Sequence, residues 1–425
     1  MRSRISGRRW RLLAFGGLAA VLVLTLYPIP SAARLVDQTP LLCLVCGEYG
    51  GADVILNLFL FVPFAIGLRL AGWSWSRVTV ACAVVSFSVE LCQYLGIPGR
   101  DASLSDLLTN TTGGSAAAAL APLLRVALAP GQRDARRLLL CGTTTWIAFS
   151  MFTAWLFFPS VSSAVALSQW GTGAHREGAY KGLRRSIVLS GVSMPKGWLD
   201  AGASRRVADL FARETFELRA DLVSSAPPED REWIYRVGFR SGRLTLNQQE
   251  TSVVLEVPRR AAILELNGPT LRLDAGAPDR AGVPFAISAG ERGQHLWLES
   301  TVNGRTRRVD MMLAPTMAWG LVIPFGYAFG PEARWITMIW VAGLVAPLGL
   351  WGASTGRPAT AILILGVSIS LGLGLVPWLA HAGTVPAREW LAALLGAGAG
   401  WAARAPAAYL AARCGSPSAS ESSSS

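Results

Sequence analysis

Three short polar stripes interrupt otherwise apolar sequence between residues 53 and 114. Asp53 and Asn57 are four apart; Ser86, Glu90 and Gln93 follow at spacings of four and three; Asp106, Asn110 and then Gly113 or Gly114 repeat the pattern. Spacings of three and four place side chains on one face of a helix. Arg100 and Asp101 occupy the short link between the second and third stripes. Carboxyl, amide and guanidinium groups gathered this way can bind a polar ligand, relay a proton, or clamp helices together by hydrogen bonds. Glu90 stands about seven residues from the end of its apolar segment, roughly 10 Å deep at a rise of about 1.5 Å per residue. An ionisable group at that depth costs several kcal/mol unless paired or hydrated. Arg100 is its natural partner, and Asp106 competes for the same cation.

The segments carrying these stripes are membrane spans by composition. Hydrophobic residues make up 52% of the 425, and charged residues only 16%, against about 25% in soluble domains; the mean hydropathy is +0.39. Apolar runs fall at about 12–29, 53–71, 78–97, 104–124, 138–159, 314–330, 335–353, 358–380 and 388–411, and a bilayer takes about 20 residues to cross. The expectation is therefore a polytopic α-helical membrane protein of about nine spans. Arg8-Arg9-Trp10-Arg11 before the first run imitates a signal peptide, but the runs that follow favour an uncleaved first helix. Arginines at 2, 4, 8, 9, 11, 69, 77, 125, 133, 136 and 137 flank alternate ends of the first spans, whereas the opposite loops hold Arg34 and Arg100. Cationic loops stay cytoplasmic. This reading gives a multi-pass protein of the cell (plasma or inner) membrane with its N-terminus cytoplasmic, and it sets all three polar stripes at the outer leaflet. The net charge of +12 belongs to this flanking pattern. No basic stripe interleaved with stacking aromatics supports nucleic-acid binding.

Between the spans, residues 165–312 read as an extracytoplasmic β domain. Phe216, Leu218, Ala220 and Leu222 alternate with Glu217, Arg219 and Asp221. Short strands are also predicted at 233–239, 244–246, 252–257, 262–266, 271–273 and 296–298, separated by turn residues such as Asn303-Gly304. Many short strands imply an inserted all-β sandwich or jelly roll. The resulting domains are 1–160 and 313–412 in the membrane, the β domain between them, and a Ser-rich, disordered tail at 413–425.

Cys43 and Cys46 form a single CxxC, which fits a local disulfide in an oxidising compartment or two buried thiols. No second cysteine pair or histidine cluster completes a metal site. No Gly-rich phosphate loop with its Lys-Ser/Thr is present, so no cofactor is expected. Trp297 is read as a core residue in preference to a sugar-stacking one.

The run Asp53-Val-Ile-Leu-Asn57-Leu-Phe-Leu-Phe61-Val-Pro63-Phe64 resembles the opening signature of the VanZ-like membrane family. Ser86 to Gln93 resembles its central motif, and Arg100 with Ser105–Asn110 and Gly113-Gly114 its closing one. The resemblance covers about 1–160. Ala65 departs from it, standing where a Gly commonly follows the Pro-Phe pair. The family is associated with low-level resistance to glycopeptide antibiotics such as teicoplanin, and its polar positions correspond to Asn57, Glu90, Gln93, Arg100, Asp106 and Asn110. The β segment more loosely resembles a LamG-like, concanavalin-type sandwich, which implies carbohydrate binding. Together these imply a cell-envelope protein that recognises a lipid-linked or cell-wall glycan component at the outer leaflet, with membrane lipids as further partners and the oligomeric state open. Two other classes remain: a membrane enzyme with Glu90 or Asp106 as acid–base, and a scaffold whose β domain is the interaction module.

Overall fold

The computed structural model describes residues 2–28, 45, 50–98, 100, 102–160, 165–170, 178–229, 231–239, 242–323, 329, 332–382 and 384–414. Its contacts divide the chain into two compact units. The first comprises residues 1–146, 341–368 and 391–425, the second 147–340 and 369–390.

The helices run in chain order as α1 (Arg2–Leu26), α2 (Gly50–Leu60), α3 (Val62–Leu70), α4 (Trp75–Tyr94), α5 (Leu104–Leu120), α6 (Leu124–Leu128) and α7 (Gln132–Leu156), then α8 (Ala201–Ala212), α9 (Ala333–Ala353), α10 (Pro358–Ser370), α11 (Val376–Leu379), α12 (Ala387–Ala402) and α13 (Arg404–Cys414). Among the described residues, six helical segments are long and apolar enough to cross a bilayer: Arg9–Leu26, Gly50–Leu70, Trp75–Tyr94, Gln132–Leu156, Ala333–Ala353 and Pro358–Leu379. Leu22, Val23, Val80, Val84, Phe87, Leu91, Ile339, Ile362 and Leu363 are exposed along them. Apolar surface on this scale needs lipid around it. The chain is a multi-pass membrane protein.

Six such helices replace the nine expected. The run 104–124 is helical, but α5 stops after 17 residues and gives way to a 3-10 turn at Ala121–Leu123. The run 388–411 breaks between α12 and α13; Pro406 has no N–H to give to the carbonyl four residues earlier, and the break falls there. The run 314–330 is not a span. It forms a 3-10 turn, Pro315–Leu321, buried at every residue but Thr316. The Asn267 amide donates to the carbonyls of Leu321 and Ile323, and the Trp319 and Phe329 rings meet edge to face. Its apolar side chains serve a protein core instead of lipid.

Within the first unit, helices meet through residues that lack side-chain bulk. A Cβ on Gly17 of α1 would collide with Phe64, and one on Gly67 of α3 with Ala14, so α1 and α3 interlock reciprocally. Gly113 of α5 lies against the Leu58 carbonyl of α2, and Gly114 against Cys82 of α4. The pattern recurs where Gly349 of α9 faces Ala397 of α12, and where Gly396 and Gly400 face Ala342 and Ala346. Lipid tails are as apolar as leucine, so helix association in a membrane rests on such close packing. The cluster of Ala14, Val21, Phe61, Phe64, Ala65, Val78, Cys82 and Ala118 is the resulting core.

Among its described residues the second unit contains twelve antiparallel strands: β1 (Leu167–Gln169), β2 (Leu183–Leu189), β3 (Val192–Ser193), β4 (Gly197–Trp198), β5 (Thr215–Val223), β6 (Glu232–Phe239), β7 (Gly242–Gln249), β8 (Ser252–Glu256), β9 (Thr270–Leu273), β10 (Pro284–Arg292), β11 (His295–Val302) and β12 (Arg305–Met312). They form two six-stranded sheets, in the orders β4-β1-β6-β7-β8-β9 and β12-β11-β10-β5-β2-β3. The result is a β-sandwich. Phe216, Leu218, Ala220 and Leu222 of β5 are buried as their alternation requires, and Leu244, Leu246, Val253 and Leu255 come from the other sheet. Asn303 and Gly304 both take positive φ, 50° and 73°, the conformation that a tight hairpin needs. The expected strand at 262–266 is instead a 3-10 turn, Arg260–Leu264, ended by Glu265 in the left-handed region. Trp297 is half-buried on the outward row of β11, with its ring over Gly290, and so is not a core residue.

A buried charge cluster fixes the chain where it leaves α7. Pro159 bridges to Arg259, and Phe158 accepts a hydrogen bond from the Arg260 N–H. Arg259, 2% exposed, pairs with the carboxylate of Glu291 and lies 3.8 Å from that of Glu214. Burial pushes the Glu291 carboxyl up to about 7 from 4.5; Arg259 pulls against this rise and Glu214 adds to it. Between these two values the folded chain therefore binds a proton at Glu291 more readily than the unfolded chain does.

Two outcomes follow. Gly113→Leu should lower the melting midpoint of the detergent-solubilised chain by several degrees, since overpacking costs about 1–3 kcal/mol or more. Gly16→Ala, with nothing within 4 Å of the added Cβ, should leave it unchanged. The stability due to Glu291 should be full below pH 4.5, fall as the pH rises toward about 7, and level off above that. Melting midpoints across that window should lose this slope in Glu291→Gln.

Candidate polar site in the membrane helices

The site begins with Ser103. As the N-cap of α5 its hydroxyl accepts from the Asp106 N–H at 3.1 Å, the arrangement that satisfies a free donor at a helix start. Its own backbone N–H donates to Glu90 Oε2 at 2.8 Å. A single residue thus ties the carboxyl of α4 to the first turn of α5. Asp106 sits in that turn, where the helix dipole favours a negative group, and accepts from Asn57 Nδ2 of α2 at 2.7 Å. One turn deeper, Asn110 Nδ2 donates to the Ser86 hydroxyl of α4 at 3.2 Å. Three helices are therefore joined by three side-chain polar contacts, beside the glycine contacts of α5.

Arg100 is placed differently from the expectation of a direct partner for Glu90. Its guanidinium donates to the carbonyls of Leu24 at 2.7 Å and Tyr27 at 3.2 Å, capping the C-terminal end of α1 where carbonyls lack helical partners. Asp53 and Asp106 lie within its electrostatic reach, as Asp106 lies within that of Glu90. Gln93 also reaches α1, donating from Nε2 to the Thr25 carbonyl at 3.0 Å. The structure thus brings Asn57, Glu90, Gln93, Arg100, Asp106 and Asn110 to one end of the helical unit.

Most buried polar atoms of proteins find a partner. Here the second atoms of two amides do not: Gln93 Oε1 and Asn110 Oδ1 are buried with no hydrogen-bond partner among the described residues. Glu90, Gln93 and Asn110 are all under 10% exposed. Two free acceptors and a group of carboxylates make the site acceptor-rich, matched to a ligand that carries hydroxyl or N–H donors.

The spacing of the polar stripes pointed to these residues, but not to Ser103 or to the capping role of Arg100, both of which depend on how the α4–α5 link folds back. A second polar group was not anticipated: Thr245, Asn247 and Glu256 share the outward row of β7 and β8, and Asn247 Oδ1 is buried and unpartnered. Cys43 and Cys46 lie outside the described residues, as does the tail from 415. Among the described residues no group of three or more His, Cys, Asp or Glu is arranged to hold a metal ion.

Glu90→Gln keeps an acceptor for the Ser103 N–H and should melt near the wild-type midpoint. Glu90→Leu strands that buried donor and should lose about 1–3 kcal/mol, read as a lower midpoint in detergent.

Residues 10–125 match the family model described as VanZ/LLP1. No curated protein matches the chain, and neither does any solved structure.

Proposed function

We propose that the chain is a VanZ-like cell-envelope protein that recognises a lipid-linked or cell-wall glycan component. The site is the polar group of Asn57, Glu90, Gln93, Arg100, Asp106 and Asn110, facing the outer leaflet. The match over residues 10–125 supports the family reading. The observation that carries the ligand class is the pair of buried, unpartnered acceptors, Gln93 Oε1 and Asn110 Oδ1, on the same helix faces as Glu90 and Asp106.

Glycans and peptidyl glycans are dense in hydroxyl and amide donors, which such acceptors select. A site built to bond a donor rejects analogues that lack it, because its own polar atoms are then left unpaired. Arg100, at the edge of the group, meets the phosphate of a lipid carrier. The sandwich, read as concanavalin-like from its sequence alone, adds glycan or protein contact on the extracytoplasmic side. Tolerance of glycopeptide antibiotics follows indirectly, through altered access to surface precursors.

Purified protein titrated with a panel of lipid-linked envelope precursors should show saturable binding. Glu90→Gln should weaken it at least tenfold while melting like wild type; Arg100→Ala should weaken it as much and also melt lower, because the α1 carbonyls lose their cap. If the wild type binds none of the panel, or the folded variants bind as tightly as it does, this reading is wrong.

A further inference from the structure

A second site lies at the opposite end of the same helical unit, between the start of α7, the turn after α9 and the start of α10. A pocket of about 150 Å³ opens there. Its floor is apolar, formed by Leu139, Ala361 and Ile364, and its rim carries Arg136, Arg357 and Thr360. Leu139 and Ala361 are each 1% exposed, so the floor is part of the packed helix interface and not a loose surface dimple.

Both arginines are tied to one short loop, Arg136 from α7 and Arg357 from within it. Arg136 donates from Nε and Nη2 to the Thr355 carbonyl at 3.4 and 3.3 Å. The Thr355 hydroxyl accepts the Arg357 N–H at 3.2 Å, which locks the turn between α9 and α10. The Arg357 side chain is exposed and makes no hydrogen bond or ion pair among the described residues. Arg133 and Arg137 are also exposed on the first turns of α7, with Asp134 as the neighbouring acid. Positive charge therefore exceeds negative charge around the mouth of an apolar groove that begins at the end of membrane-spanning helices.

We propose that this groove binds an anionic phospholipid. The phosphate sits between Arg136 and Arg357, with Thr360 as a further donor, and one acyl chain runs over Leu139, Ala361 and Ile364. Guanidinium groups match phosphate oxygens in geometry as well as charge. Basic pockets between helices near a membrane surface are suited to acidic headgroups. An apolar floor continuous with the bilayer selects a lipid over a free anion, which would leave that floor wet. The site is independent of the acceptor-rich group between α2, α4 and α5, whose chemistry is opposite in sign.

The test uses the full chain, delipidated in neutral detergent, titrated with dioleoyl phosphatidylglycerol and with dioleoyl phosphatidylcholine, and read by native mass spectrometry. Wild type should bind the anionic lipid about tenfold tighter. Arg357→Gln should erase about fivefold of that preference, the amount expected of one surface arginine. Arg136→Gln/Arg357→Gln should erase it all. Thr360→Trp, which fills the mouth without changing charge, should weaken binding of the anionic lipid, with the melting midpoint in phosphatidylcholine unchanged. Equal affinity for the two lipids, or retained preference in the double variant, overturns the proposal. Displacement of bound lipid by glycerol phosphate at equal concentration also overturns it, because the site would then be an anion site without an acyl groove.

Discussion

Everything in the first unit depends on backbones that approach closely enough to touch. Hydrocarbon gives helices no hydrophobic reason to associate, so contact must come from shape. Gly113 against the Leu58 carbonyl and Gly114 against Cys82 draw α5 onto α2 and α4. Only at that distance do short side chains meet across helices, Asn57 with Asp106 and Asn110 with Ser86. A bulkier residue at either glycine would separate the polar groups as well as the helices. The same device, with Gly349, Gly396 and Gly400 against alanines, joins α9 to α12. Close packing is thus the general mechanism, and the polar group is what this particular contact has been used to hold.

The polar groups divide into two kinds. Ser103, Asp106, Glu90 and Asn57 satisfy one another, and Arg100 satisfies carbonyls at the end of α1. These contacts account for stability. The free oxygens of Gln93 and Asn110 do not, since an unpaired acceptor in low dielectric is a cost. A clamp built only to hold helices would have no use for them. The β-sandwich follows the same division: Arg259 and Glu291 are paired and structural, whereas Asn247 has an acceptor to spare.

The polar stripes were legible because helical spacing is local: residues four apart share a face whatever the tertiary fold. The strands around Phe216–Leu222 and Leu296–Leu298 were legible for the corresponding reason, their alternation being a two-residue property. The run 314–330 was misread because apolar length does not distinguish lipid from protein interior; Asn267, some 50 residues earlier, supplies the contacts that make it a core turn. Helix α8 escaped notice because its buried face, Ser204, Val207 and Phe211, is interleaved with arginines and acids. The Arg259–Glu291 pair, 32 residues apart, has no local signature. Likewise, Ser103 gains its role only when the α4–α5 link closes.

The central claim is that the half-satisfied amides of the group between α2, α4 and α5 serve a ligand and are not part of the clamp. The most direct measurement is the melting midpoint of the Ser86→Ala/Asn110→Leu variant in detergent. Removing a half-satisfied pair together, with an apolar group of similar volume in its place, is nearly neutral or stabilising when the pair is not needed for the fold. The account predicts a midpoint equal to or above that of wild type. A midpoint several degrees lower would contradict it and make the polar group a structural clamp.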